Sequence, residues 1–416
     1  MLVAGVITEY NPLHNGHLYQ LDQIRRTLSP DILIAVMSGD FMQRGEPSIV
    51  SKWDRTQMAL CAGVDLVLEL PYIFAVGRAD IFARGAVSVL NQIGATHLVF
   101  GSEAGRMEPF METIQLIEQN RDSYRTELMN ALKQGISYPN AHAAAYRRLA
   151  ERSPSTSLVD LTQPNNSLGY QYISAIRHCG SRMVPVTIRR KEAGHSDPDF
   201  SEGGRIASAT SIRTHLLNEK SWDTTADKIP PFTYSILKSN SAQNTLVDWE
   251  TFFPFLKYRL ISSTSEQLAE IYEAEEGIEN RLLSCIGGSD HFRDFISAVK
   301  TKRYTWSRLQ RLCVHILTHT RKIEAKDQAA SGEAAYLRLL GMNLKGQHYL
   351  NMKRKELQIP LISKIRQHRL PVLDLDLKVA GVYDFLSGRS PSHRTESSHP
   401  PVRYDENKGL FLNAEP

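Results

Sequence analysis

Residues 2–28 read LVAGVITEYNPLHNGHLYQLDQIRRTL: an apolar run, a turn holding a proline and a glycine, then apolar residues at helical spacing. The run Leu2–Ile7 has the length of a buried strand, and the pattern over His17–Leu28 is that of an amphipathic helix. A strand that feeds a helix through a polar turn opens a parallel α/β unit. The alternation continues outward from there. Apolar runs recur at Ile32–Met37, Val64–Leu68, His97–Phe100 and Met183–Ile188, and helical patterns fall at Lys52–Ala62, Ile81–Ile93 and between Pro109 and Arg152. The expected fold class is α/β with an open sheet of parallel strands. Such sheets bind ligands outside the carboxyl ends of their strands. Here those ends carry TEYNPLHNGH, SGDFMQRGEP, ELPY, GSEAG and RRKEAGHSD, all polar and turn-rich.

The chain has 416 residues, enough for two or three domains. Hydrophobic residues make up 42% and charged residues 23%, the balance of a folded protein rather than a disordered one. The net charge of +4 is too small for a generic polyanion binder, so any nucleic-acid surface must be local. Four cysteines, Cys61, Cys179, Cys285 and Cys313, are widely spaced with no CxxC pair, which excludes a zinc ribbon and points to free thiols in a reducing compartment. No apolar run reaches membrane-spanning length and the N-terminus lacks a charged leader, so a cytoplasmic protein with no membrane association is expected. Lys220–Thr251, rich in Ser, Thr, Asn and a Pro230–Pro231 pair, reads as a boundary. The expected divisions are 1–225 as the catalytic domain, 226–386 as an α-rich domain, and 387–416 as a flexible or surface-laid tail, since SGRSPSHRTESSHPP cannot supply a core.

The segment HNGH lies where a strand meets a helix. A helix start presents unpaired N–H groups and partial positive charge, and His14 and His17 would add donors for phosphate oxygens. Gly16, without a Cβ, would let the backbone approach a ligand. Taken by themselves, two histidines more often cap or pack a turn. A metal site is not indicated, because no third ligand stands at a companion spacing. The run IASATSIR, residues 206–213, places Ser208, Thr210 and Ser211 at a second helix start, where they can cap donors or contact phosphate, while Arg213 supplies a charge-assisted contact.

HNGH and IASATSIR together resemble the HxGH and ISSTxIR motifs of the nucleotidylyltransferase superfamily, which implies a Rossmann-like open parallel sheet of that type followed by an α-rich C-terminal domain. The stretches GDFMQRGEPSIVSKWDRTQM, DLTQPNNSLGYQYISAI, EEGIENRL, TKRYTWSRLQR and YLRLLGMNLKGQ extend the likeness along nearly the whole chain. On these residues the chain is similar to the tRNA(Met) cytidine acetate ligase family. The resemblance implies that ATP activates acetate as acetyl-adenylate and that the acetyl group passes to N4 of the wobble cytidine, position 34, of elongator tRNA(Met). It implies catalytic roles for His14, His17 and Arg213. It implies nucleotide contacts from the strand end Ile7 and Thr8, from the turn Glu9, Tyr10, Asn11, Pro12 and Leu13, and from the helix start His14, Asn15, Gly16, His17, Leu18, Tyr19 and Gln20. Gly101, Asn165, Arg190, Ser208 and Thr210 complete that set, with Arg189 and Lys191 as alternatives to Arg190. Asp40 departs from the Asn expected after Ser38-Gly39, and its charge argues against phosphate contact by that loop.

Adenylation needs charge stabilisation rather than a protein nucleophile. The two histidines, the helix start, Arg190 and Arg213 would supply it, with Mg²⁺ expected as a partner of the triphosphate, its ligands left open. For tRNA, the acid-free run KTKRYTWSRLQRLCVHILTHTRK offers Lys300, Lys302, Arg303, Arg308 and Arg311 to phosphates, then Arg321 and Lys322, with Tyr304 and Trp306 as stacking partners. Lys345, Lys353, Arg354 and Lys355 form a second basic group. Two other readings stand beside this one, a small-molecule nucleotidylyltransferase and a non-catalytic tRNA-binding protein with a relic nucleotide site. The acetate pocket and the oligomeric state stay open at this level.

Overall fold

A computed structural model describes residues 1–152, 157–190, 205–219, 221–368, 370–389 and 393–412. Five strands, β1 (Val3–Thr8), β2 (Ile32–Ser38), β3 (Leu66–Leu70), β4 (His97–Ser102) and β5 (Val184–Arg189), are mutually parallel in the order β5-β4-β1-β2-β3. Each lies within two or three residues of an apolar run read from sequence. β2 and β3 are buried along their whole length, as strands covered on both faces must be. Successive strands step one way from β1 to β2 and β3, and the other way to β4 and β5. The direction of winding reverses between β1 and β4, which opens a crevice at their carboxyl ends.

α1 (Asn15–Leu28) leaves β1 through the Glu9–His14 turn, in which Tyr10 adopts φ 46° and the Asn11–Pro12 peptide is cis. α2 (Lys52–Cys61) follows β2, capped by Ser51, whose side chain accepts from the Asp54 N–H. The helix Ala79–Ile93 packs Ala83, Ala86 and Leu90 into the core on the face opposite α1.

Residues beyond 230 form a helical unit around its own core, in which Phe252, Phe253, Phe295 and Leu309 are fully enclosed. Each such side chain stabilises the fold by about 1.5–3 kcal/mol through removal from water. This unit is α-rich as expected, yet it does not end the sheet. β6 (Leu337–Met342) pairs antiparallel with β3, and β8 (Val402–Asp405) pairs parallel with β6. β7 (Leu361–Ile362) and β9 (Leu410–Phe411) add short pairings, giving nine strands among the described residues. The division at 225/226 therefore does not separate the sheet into its own domain, because β6 supplies the edge that β3 requires.

The described part of 387–416 pairs into the sheet and buries Glu396, whereas a flexible or surface-laid tail was expected from composition. Glu396 is buried and accepts an ion pair from Lys52 Nζ at 2.8 Å, one from Arg338 at 3.2 Å, and the Trp53 indole N–H at 3.0 Å. Lys52 also meets Glu69 at 2.9 Å and Asp40 at 3.7 Å. This buried charge anchors the segment together with Val402, which enters the core, and composition rules are blind to the charge.

Candidate active site at the β1–β4 crevice

The turn after β1 is held in place from three sides. Arg55, buried on α2, donates to the carbonyls of Glu9 at 2.7 Å and Ser38 at 3.0 Å, and also to that of Gly39. Five-donor guanidinium geometry lets one side chain fix the carboxyl ends of β1 and β2 together. From the 39–50 loop, the Gln43 N–H donates to the Glu9 carboxylate at 2.7 Å and the Ile49 N–H to Asn11 Oδ1 at 2.8 Å. From the helix Ala209–Leu217, Arg213 donates to the Asn11 carbonyl at 2.8 Å and to Glu46 at 2.5 Å.

On this platform His14 is the N-cap of α1. Its Nδ1 accepts from the Gly16 N–H at 3.0 Å, and its own N–H donates to His17 Nδ1 at 3.3 Å. The two rings stack at 3.8 Å, and Tyr10 meets His17 edge-on at 5.0 Å. With both Nδ1 atoms accepting, each neutral imidazole carries its proton on Nε2. Burial pushes the His14 pKa down to about 3, and Arg190 and Arg213 push it the same way. Burial, His14 and Arg190 hold His17 well below 6.5. The pair is thus two neutral N–H donors at the positive end of a helix. The Asn11 amide nitrogen is a further donor here, buried without a partner in the described structure.

Gly16 has a structural purpose within the turn itself. A Cβ at this position would stand 2.8 Å from the His14 ring, so the missing side chain makes room for the capping imidazole itself. Tyr10, Pro12 and Leu13 are also buried, Tyr10 with its ring against His17.

The opposite wall comes from β4 and β5. Gly101 pairs with Ile188, and a Cβ on it would lie 3.1 Å from the Arg190 side chain. Arg190 donates to Asn165 Oδ1 at 3.2 Å. Glu103 accepts from Asn165 Nδ2 at 2.6 Å and from the Asn166 N–H at 2.7 Å, capping the helix Pro164–His178. Asn165 is therefore not the cap of that helix. Gly101, Asn165 and Arg190 form one cluster, and Arg190 lies near enough to both histidines to depress them. Arg189 lines instead a cavity of about 210 Å³ between α1 and the edge strand, with Tyr19 and Thr27. Lys191 falls outside the described residues. Ser208 caps its helix, accepting from the Ser211 N–H at 3.1 Å, and Thr210 is exposed with Oγ1 at 3.5 Å from Arg213.

Glu46, Arg55 and Glu103 border the site and were not singled out by sequence, although all stand in or beside polar strand ends. Asp40 faces inward to Lys52, so its charge is spent in the buried ion cluster and not on the crevice. The carboxylates bordering the crevice are already engaged, Glu46 by Arg213, Glu103 by two N–H groups, and Glu9 by Gln43. Among the described residues no group of three His, Cys, Asp or Glu could hold a metal ion.

The basic run is placed differently from expectation. Arg311 is buried against Glu273 at 3.1 Å, and Tyr304 is a core residue whose hydroxyl donates to the Glu275 carbonyl. Arg308 pairs with Glu275 at 3.3 Å, Arg303 with Glu276 at 3.2 Å, and Trp306 packs against the helical core. The acidic EAEEG segment neutralises the basic one. Lys300 and Lys302 stay exposed. No helix among the described residues is long and apolar enough to cross a membrane.

A family model for HIGH nucleotidyl transferases matches residues 1–398. The tRNA(Met) cytidine acetate ligase of Bacillus subtilis is 43% identical over 420 residues, covering 99% of this chain and all of that one. The enzyme of that name from Halalkalibacterium halodurans is 42% identical, covering 97% of this chain and 98% of its own. The crystal structure of Thermotoga maritima TmcAL bound with alpha-thio ATP superposes with a TM-score of 0.86 at 33% identity, over 97% of this chain and all of that chain. The HxGH-type crevice, the shared sheet and the full-length likeness agree, and the chain belongs to the tRNA(Met) cytidine acetate ligase family of HIGH nucleotidyl transferases.

Proposed function

We propose that this chain joins acetate to ATP as acetyl-adenylate and then acetylates N4 of the wobble cytidine of elongator tRNA(Met), acting in the cytoplasm. The observation that carries the chemistry is the pair of neutral histidines at the α1 start, opposite Arg190. An acetate oxygen attacks the α-phosphorus, the α–β bridging bond breaks, and pyrophosphate leaves with the electron pair. Two Nε2–H donors, the α1 N–H groups and the guanidinium of Arg190 stabilise the added negative charge without giving up a proton. Mg²⁺ would arrive on the triphosphate oxygens, since the neighbouring carboxylates are engaged.

In the second step the cytosine amine attacks the acyl carbon, the mixed-anhydride C–O bond breaks, AMP departs and the amine proton goes to solvent. The amine's lone pair is delocalised into the ring, which makes prior activation of acetate necessary. Incubation with ATP, labelled acetate and tRNA(Met) tests the reading: label is expected on a cytidine of the RNA. Label confined to a soluble adenylate would support a small-molecule nucleotidylyltransferase, and no label in either form would leave only tRNA binding.

A further inference from the structure

The outer surface of the helical unit carries a feature that the site above does not use. The helix Trp249–Ile261 buries Trp249, Phe252, Phe253 and Leu256, yet exposes Phe255 by 42%, Tyr258 by 73% and Ile261 by 63%. Its exposed aromatics stand three residues apart, on adjoining turns. Phe255 packs edge-on against Phe385 of the helix Val372–Leu386, itself 55% exposed. One turn further along, Arg259 donates to His319, and Lys378 donates to the His319 carbonyl and pairs with Glu324, both at 3.0 Å. Arg321 joins the same group through Glu324 at 3.5 Å. Arg321 and Lys378 thus share the Glu324 carboxylate, and Arg259 stands beside them on His319. Their nearness is also felt by His319, which burial and then these three charges hold below its ordinary pKa.

We propose that this face, built from Tyr258, Phe255, Phe385, Arg259, Arg321 and Lys378, docks an unpaired segment of the tRNA substrate, its bases on the aromatic rings and its phosphates on the cations. The inference rests on the acetylating reading above and moves the RNA off Arg303, Arg308 and Arg311, which pair with Glu276, Glu275 and Glu273, while keeping Arg321 from the end of the basic run. Exposed rings interleaved with guanidinium and ammonium groups suit a flexible polyanion with flat apolar faces. A second copy of this chain is disfavoured as occupant, because a two-fold interface would press the cation group against itself.

Full-length protein carrying Tyr258→Ala, and separately Arg259→Gln, is compared with wild type for binding of a tRNA(Met) transcript across 50–200 mM salt, and for acetate-dependent exchange of pyrophosphate into ATP. Tyr258→Ala is expected to weaken binding at least fivefold. Arg259→Gln is expected to flatten the salt slope by about 0.7. Exchange should be unchanged in both, and melting unchanged in Tyr258→Ala, whose side chain is 73% exposed. Wild-type affinity and slope in both variants would overturn the inference. So would a changed oligomeric state in Tyr258→Glu with tRNA affinity retained, which would make the face a self-association surface. If wild-type protein catalyses exchange but binds no tRNA, the acetylating reading itself loses its RNA step, a failure visible before any variant is examined.

Discussion

Arg213 and the Asn11 carbonyl are joined at 2.8 Å across 202 residues of chain, so the second helix start is tied to the turn that carries the histidines. The same guanidinium holds Glu46 of the 39–50 loop. Arg213→Lys keeps the charge and loses the fork that serves both partners. We expect acetate-dependent pyrophosphate exchange to fall roughly 10²-fold, with a smaller change in melting temperature. Equal exchange in the lysine variant would show that charge alone suffices at this position.

The two histidines should separate on substitution. His17→Ala removes one Nε2–H donor and the acceptor of the His14 N–H but leaves the His14 side-chain cap in place, and exchange is expected to drop by roughly 10²–10³-fold in a folded protein. His14 is both donor and N-cap. His14→Asn restores a capping acceptor, so stability should stay within about 0.5 kcal/mol while activity is lost. His14→Ala should lose activity and, in addition, about 1 kcal/mol measured by urea unfolding.

Because His14 stays neutral in the folded state down to about pH 3, the unfolded chain takes up a proton there that the folded chain refuses. Its contribution to stability is therefore lost as pH falls below 6.5. Glu69 and Asp384, each raised to about 7 chiefly by burial, act in the opposite direction over part of that range. The histidine effect is isolated by comparison: between pH 7 and pH 5, wild type should lose about 2 kcal/mol more than His14→Asn in urea unfolding. Parallel pH profiles for the two proteins would contradict a buried neutral imidazole.

Lys52 is the shared partner of Asp40, Glu69 and Glu396, all buried with it. Lys52→Met leaves three carboxylates facing one another beside Arg338, and is expected to destabilise the fold by about 3–5 kcal/mol. Glu396→Gln should cost less, because Lys52 retains two partners. A chain truncated before residue 393 should melt lower than either point variant, as it also loses β8.

The parallel strands were legible because each is an unbroken apolar run, and HNGH was legible because few turns place two imidazoles at a helix start. β6 was not, although YLRLLGM is apolar enough, because its pairing partner lies far away and its antiparallel direction leaves no trace in local spacing. The tail was misjudged for a related reason: Glu396 is held by ion pairs, and a solvated glutamate looks the same in sequence. In the basic run, counting only Lys300–Lys322 hid the acids of EAEEG, which the fold brings against Arg303, Arg308 and Arg311. The supports of the site, Arg55 and Glu103, do their work by touching main-chain groups, which no motif records.

β3 is buried from end to end, yet one of its two neighbours, β6, is encoded some 270 residues later. A ribosome adding about 5–20 residues per second leaves that apolar edge open for tens of seconds. Throughout that interval the nascent chain would present an unpaired hydrophobic strand to its surroundings, and its yield in a cell should depend on chaperones that shield such edges until the last strands emerge.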